Sequence, residues 1–277
     1  MMLAHALHVF EDELLIVNSE YSLTQASKEV SLLNYHQQYP TNQLAYLHLL
    51  KQCAINEPSY CSESFYRKAD ALFPNNGAPD FIRATIAAKN NNQAQFERLI
   101  ESAAEKTAFD FKSFDYNDYF IHSYTSVNDI PIGYAALNSQ GYVAAMAVPN
   151  PTHVIEQCEQ AFDQNLSLHE SCYILASTMS RSGGEMIVQA IGLKIEENYF
   201  QQTGKPGLDE VYAQKQQFEQ SLDKMHQLNG MTLSLVDEQF VEGWLSRGLK
   251  GGELAAQAYA IEESKRLSLD QNYHPCL

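Results

Sequence analysis

Four of the chain's five cysteines fall into two short-range pairs, Cys53 with Cys61 and Cys158 with Cys172. Each pair brackets a junction where the hydrophobic pattern ends one helix and begins another. Cys53-x7-Cys61 and Cys158-x13-Cys172 are neither Cys-x-x-Cys redox motifs nor zinc spacings. A disulfide across such a junction staples a helical hairpin. Closing a loop of about 15 residues contributes roughly 3 kcal/mol by restricting the unfolded chain, and a shorter loop somewhat less. The competing reading is five reduced thiols packed as small hydrophobes in a cytosolic protein. The pairing favours the staples, and staples imply an oxidising compartment. Cys276 is left over, as a free thiol or an intermolecular bridge.

The 277 residues are 45% hydrophobic and 19% charged, enough for a buried core in one elongated domain or two small ones. Asp and Glu number 34 against 18 Lys and Arg, a formal net charge of -16. Such a chain repels phosphate backbones, which argues against a nucleic-acid partner. A basic protein surface would be attracted and its association accelerated, although the charge also serves plain solubility. No stretch has the roughly 18 consecutive apolar residues of a membrane span. The first 18 residues lack a basic segment, and Glu11-Asp12-Glu13 precede the apolar Leu14-Leu15-Ile16-Val17, so they do not read as a signal peptide. Either the protein is cytoplasmic, or this chain is a mature or trimmed form whose leader is absent, the reading that the cysteine pairs favour.

Helical periodicity runs through the chain. A helix after Pro40-Thr41 ends near Cys53, with Thr41 or Asn42 as its cap. Another spans about 62–72, with Phe65, Ala69, Leu72 and Phe73 on its apolar stripe. Pro74-Asn75-Asn76-Gly77 is a turn, followed by helices over Phe81 to Lys89 and around Phe96, Leu99, Ile100 and Ala103. Residues 109–124 read as a loop running into a helix, and Ile132 to Ala147 as a buried helix, with a strand near Tyr142-Val143 as its competitor. Pro149-Asn150-Pro151 is the clearest internal boundary and divides the chain into 1–148 and 149–277. Beyond it lie helices from Thr152, over Leu168 to Ser180, over Met186 to Phe200, and over about 208–228. Two more cover Val236 to Leu249 and Leu254 to Lys265. Short helices joined by short turns make hairpins, and hairpins stacked in order make a solenoid.

Around Phe73-Pro74-Asn75-Asn76 the chain resembles the tetratricopeptide family. Phe81 stands at the first-helix aromatic, Asn91-Asn92 near the inter-helix turn, and Ala103-Ala104 near the small packing positions. Thr85 replaces the usual Gly, and Phe96 displaces the expected interior Ala. The resemblance covers one repeat, about 62–106, and implies a helical array that binds protein. With a cysteine on each side of the preceding turn, the later pair, and the helix Ile187-Val188-Gln189-Ala190-Ile191-Gly192-Leu193, the chain is similar to helical proteins of the Gram-negative periplasm that have no assigned function. That likeness implies fold and compartment only: a periplasmic protein whose leader is absent from this chain, with the cytoplasm as the alternative.

No motif carries chemistry. His5 and His8, with Glu11 or Asp12, share a helical face but make no metal signature, and His169-Glu170 is a fragment of one. Ser180-Arg181-Ser182-Gly183-Gly184-Glu185 precedes a helix and would offer amides to an anion, yet it lacks a Walker lysine and reads as a hairpin turn. Glu156 and Glu159 are present without a catalytic partner and are not nominated. The aromatic run at 109–124 is the candidate interaction surface, with Tyr116, Tyr119, Phe120 and Tyr124 either lining a groove or packing between helices.

The expectation is therefore an all-α fold of stacked antiparallel hairpins, TPR-like and elongated. No cofactor, no metal and no catalytic residue is assigned. The favoured function is a non-enzymatic protein-interaction or scaffold module with a protein partner, a basic one being favoured by charge. The alternatives are an acidic immunity or inhibitor protein that neutralises a basic toxin, and a cell-envelope enzyme with carboxylates in a helical groove.

Overall fold

The structure, a computed structural model of the chain, describes residues 25–128, 130–146, 149–181, 184–227, 233, 235 and 237–273. His5, His8, Glu11, Asp12, the apolar run at 14–17 and Cys276 lie outside them. In order, the helices are α1 (Gln25–Gln38), α2 (Gln43–Asn56), α3 (Glu63–Tyr66), α4 (Lys68–Leu72), α5 (Ala78–Lys89), α6 (Gln93–Ala104), α7 (Ser113–Asn128), α8 (Ile132–Ala145), α9 (Thr152–Gln164), α10 (Leu166–Arg181), α11 (Met186–Thr203), α12 (Leu208–Gln227) and α13 (Glu238–Leu269). No strand occurs among the described residues; a single β-bridge joins Asn76 to Ala108.

Local chemistry sets the boundaries. Asn42 caps α2 by accepting from Ala45 N–H at 2.8 Å, and left-handed Glu57 ends it. Ser62, Asn92 and Asp237 cap α3, α6 and α13 in the same way. The expected single helix over 62–72 divides at Arg67 into α3 and α4. The turn after it is pinned from outside. Asn76 donates from Nδ2 to the Asp110 carbonyl at 2.7 Å and accepts from Asp110 N–H at 2.9 Å, which holds the 108–111 segment against the turn.

The main core draws on both sides of the Pro149–Pro151 break. Tyr46, Leu49, Phe81, Phe96, Ile100 and Phe111 from the first stretch pack with Val154, Leu175, Met179, Val188 and Ile191 from the second. Helices α5 and α6 pack on each other across a short Asn-rich turn. Helix α9 packs on α5, and α10 packs on α6. The intervening pair, α7 and α8, lies outside that layer and packs with α13. There Phe114, Ile121, Ala135 and Ala136 meet Val241, Trp244, Leu245 and Ala256 in a second core.

Helix α8 departs from the expectation of a buried helix. It is helical throughout, but Tyr134 (51% exposed) and Leu137 (40%) face outward. Only its Ala135–Ala136–Ser139 side is covered, because α7 and α13 pack on that one side. Along α11 the buried stripe runs through Val188, Ile191, Ile195 and Tyr199, and Ile187 is 46% exposed instead of joining it.

Both cysteine pairs lie at disulfide distance, with Cα separations of 5.7 Å for Cys53–Cys61 and 5.8 Å for Cys158–Cys172. The first ties the end of α2 to the turn before α3, and the second ties α9 to α10.

Candidate functional site

The chain contains the tripeptide Gly-Gly-Glu twice, at 183–185 and 251–253, and the fold brings the two together. Glu253 N–H donates to the Gly184 carbonyl at 2.7 Å, and its Oε2 accepts from Met186 N–H at 2.8 Å. A helix start leaves its first N–H groups without intrahelical partners. Glu185 sits at the N-cap position of α11, yet its side chain makes no cap there, and Glu253 from α13 supplies the acceptor instead. It can do so because α13 breaks at Gly252, whose φ of 75° and ψ of -168° belong to glycine alone.

The Glu185 side chain serves a different helix. Its carboxylate accepts from Phe111 N–H at 3.3 Å, Ser113 N–H at 3.2 Å and the Ser113 hydroxyl at 2.8 Å, which together fix the start of α7. Burial, with Asp110 adding to it, pushes the Glu185 carboxyl up to about 7, partly offset by the Ser113 bond and the charge of Lys51. Lys51 is buried against the same segment. Its Nζ lies 3.5 Å from the Phe111 carbonyl and above the Phe111 and Tyr116 rings, at 5.1 and 5.7 Å. Burial lowers it to about 8. Burial also raises Glu253, against the Met186 bond.

Two open grooves meet at Glu185 and Phe114. One, of about 480 Å³, runs between the 107–110 segment, the end of α10 and the α13 break; Asp110, Asp115, Arg181 and Leu249 are on its walls. The other, of about 550 Å³, lies between α8, α11, α12 and α13, with Val143, Met146, Met186, Ile187, Phe218 and Trp244 on its walls. Among the described residues, the charged ones lining the second groove are Glu185 and Glu253.

The four aromatic candidates do not share one surface. Tyr116 is buried and its hydroxyl donates to the Leu44 carbonyl. Tyr119 is partly exposed beside Asp115, Asp118 and His122 in a small hollow. Phe120, 9% exposed, stacks on Tyr124 and Tyr142, at 5.4 and 5.3 Å, between α7 and α8. Tyr124 packs against the second core. His169 is buried, with Nε2 3.1 Å from Gln202 Oε1. Glu156 and Glu159 lie on the exposed side of α9, where Glu156 is 3.5 Å from His153.

As chemistry, both carboxyls of the junction are engaged by main-chain N–H groups. Burial raises both carboxyls, and the bonds they accept hold the starts of α7 and α11. No group of three or more His, Cys, Asp or Glu side chains capable of holding a metal ion occurs among the described residues, and no described helix is long and apolar enough to cross a membrane. Sequence reading named Glu185 only as the end of a Gly-rich turn, and it passed over Glu253 and Lys51, since no motif contains them. The available signal was the repeated Gly-Gly-Glu, in which each glycine pair interrupts a helical pattern directly before an acid. Comparison of the chain with protein-family models, with curated proteins and with solved structures returns no match.

Proposed function

We propose that the protein is a non-enzymatic, helical protein-binding module that works outside the reducing cytoplasm. The observation that carries this reading is the pair of open grooves meeting at Glu185, each with a large apolar side chain on its wall that is nearly half exposed, Leu249 (47%) in one and Ile187 (46%) in the other. Apolar residues exposed beside a concave surface are a feature of protein docking sites. The packing of α9 on α5 and of α10 on α6 supports a TPR-like stack of hairpins, in which α7 and α8 are an insertion that builds the grooves with α13. Two cysteine pairs at bonding distance support an oxidising compartment such as the periplasm. The net charge of -16 favours a partner with a basic surface.

A photo-crosslinking amino acid placed singly at Tyr134, Leu166, Ile187, Tyr212 and Leu249, all exposed, tests the reading in native cells. Discrete protein adducts from neighbouring positions are expected. Absence of adducts at all five positions would refute a protein-binding role.

A further inference from the structure

The groove between α8, α11, α12 and α13 has a composition that specifies its occupant. Its walls include Val143, Met146, Met186, Ile187, Phe218 and Trp244, with neutral polar residues between them. Helix α8, which forms one side, carries no charged residue from Ile132 to Ala145. Among the described residues, the charges that line the groove are the carboxylates of Glu185 and Glu253, without a lysine or arginine. The Glu185 oxygens are taken up by α7. Glu253 differs: Oε2 is bound by Met186 N–H, and Oε1 has no hydrogen-bond partner among the described residues. An apolar trough with one such acceptor in its lining, in a chain of net charge -16, complements an apolar ligand that carries a cation.

We propose that this groove docks an amphipathic helix of a partner protein, laying an apolar face on Met186, Ile187 and Phe218 and directing a Lys or Arg to Glu253. The inference rests on the protein-binding reading above and names the surface and the chemistry of its partner. A helix laid between helices is a recurrent mode of groove recognition. Methionine walls, here Met146 and Met186, adapt to the side chains presented to them. A second copy of this chain is the poorer occupant, because two chains of -16 repel each other. The cation meeting Glu253 is desolvated on one side only, since that residue is partly exposed, so the contact sets orientation more than affinity.

The probe is a 20-residue amphipathic peptide of leucine and lysine, labelled for fluorescence anisotropy and titrated with the full chain. Its controls are the same composition scrambled to remove the apolar face, and the same pattern with glutamate for lysine. The expected result is binding of the amphipathic cationic peptide at least ten times tighter than either control. Ile187→Lys should weaken it about tenfold or more, since 1.4 kcal/mol is a factor of ten and one desolvated contact carries that much. Ile187 is exposed, so this variant is expected to fold. Glu253→Gln keeps an acceptor for Met186 N–H and should weaken the lysine peptide several-fold while leaving the weak glutamate control unchanged. Equal binding of patterned and scrambled peptides, or binding unaffected by both variants, overturns the docking site. So does self-association of the chain that Ile187→Lys abolishes, which would assign the groove to a second copy. Crosslinked adducts at Leu166 or Tyr134 without any at Ile187 would refute this groove and leave the protein-binding role standing.

Discussion

The carboxylate of Glu185 accepts both the main-chain N–H and the hydroxyl of Ser113, at 3.2 and 2.8 Å, so the residue that opens α11 also fixes the opening of α7, 72 positions earlier. The contact joins the two cores, because Phe111 just before Ser113 belongs to one and Phe114 just after it to the other. It is also titratable. Burial raises Glu185 from 4.5 to about 7. A carboxyl raised on folding contributes stability that is fully present below its unfolded value and is lost as pH rises through its folded one. The window is therefore pH 4.5 to 7, and the displacement corresponds to roughly 3 kcal/mol. His36 and His48, both lowered to about 4 by burial, act in the opposite direction between pH 6.5 and 4, so the wild-type profile is a composite. The difference between wild type and Glu185→Gln isolates the carboxyl. Denaturant midpoints measured from pH 4 to 8 should show the glutamine variant gaining on the wild type as pH rises. A constant difference would refute the raised carboxyl.

Lys51 tests the same cluster from the other side. Its charge is among the influences holding Glu185 down, and Asp110 is among those pushing it up. Lys51→Met should move the Glu185 inflection above 7, and Asp110→Asn should move it below. The ionisation is readable as a carboxyl frequency in infrared difference spectra against Glu185→Gln. Shifts in the same direction for both variants would contradict the arrangement.

Gly252 holds the second cap in place. With φ at 75° and ψ at -168°, it occupies a region closed to residues with a Cβ. Gly252→Ala should cost about 1–3 kcal/mol and displace Glu253 from Met186 N–H. Hydrogen exchange at Met186 reports the second effect separately from global stability: its amide should exchange faster in the alanine variant and remain protected in Glu253→Gln.

Much of the helical layout follows from pattern alone. The cap at Asn42, the α5–α6 turn, the Pro149–Pro151 break and both cysteine pairs lie where residue chemistry puts them, because each depends on neighbours in sequence. The single-helix reading of 62–72 failed for a local reason, a division at Arg67 that no glycine or proline signals. Helix α8 failed for a tertiary one. An uncharged sequence reads as buried, yet only neighbouring elements decide how many sides are covered, and here Tyr134 and Leu137 face outward. The junction was hidden for the same reason. Glu185 and Glu253 are caps for helices other than those their own positions suggest, and the pairing of two Gly-Gly-Glu segments 68 residues apart has no local periodicity to reveal it.

Helices α10 and α11 approach closely at Gly192, where an added Cβ would lie 2.6 Å from both the Ala176 carbonyl oxygen and the Ser180 nitrogen. Those are backbone atoms, which cannot rotate away. Gly192→Ala should therefore force the helices apart at a cost of about 1–3 kcal/mol, seen as a lower denaturant midpoint. A neutral result would mean that the two helices do not pack at this distance.

The cysteine pairs make the last prediction. The two pairs take up four of five cysteines, so protein isolated from an oxidising compartment should titrate with one free thiol before reduction. The Cys158–Cys172 bridge spans 14 positions and the Cys53–Cys61 bridge spans 8. The longer loop removes more freedom from the unfolded chain, so the double substitution Cys158→Ala with Cys172→Ala should cost about 3 kcal/mol, and the Cys53–Cys61 counterpart somewhat less. Both bridges tie segments of the main core, which includes Cys53, Cys158 and Cys172. Reductant should consequently lower the midpoint of the wild type and leave that of a quadruple alanine variant unchanged. Five free thiols in protein alkylated inside its native cells would remove both bridges and, with them, the argument for an oxidising compartment.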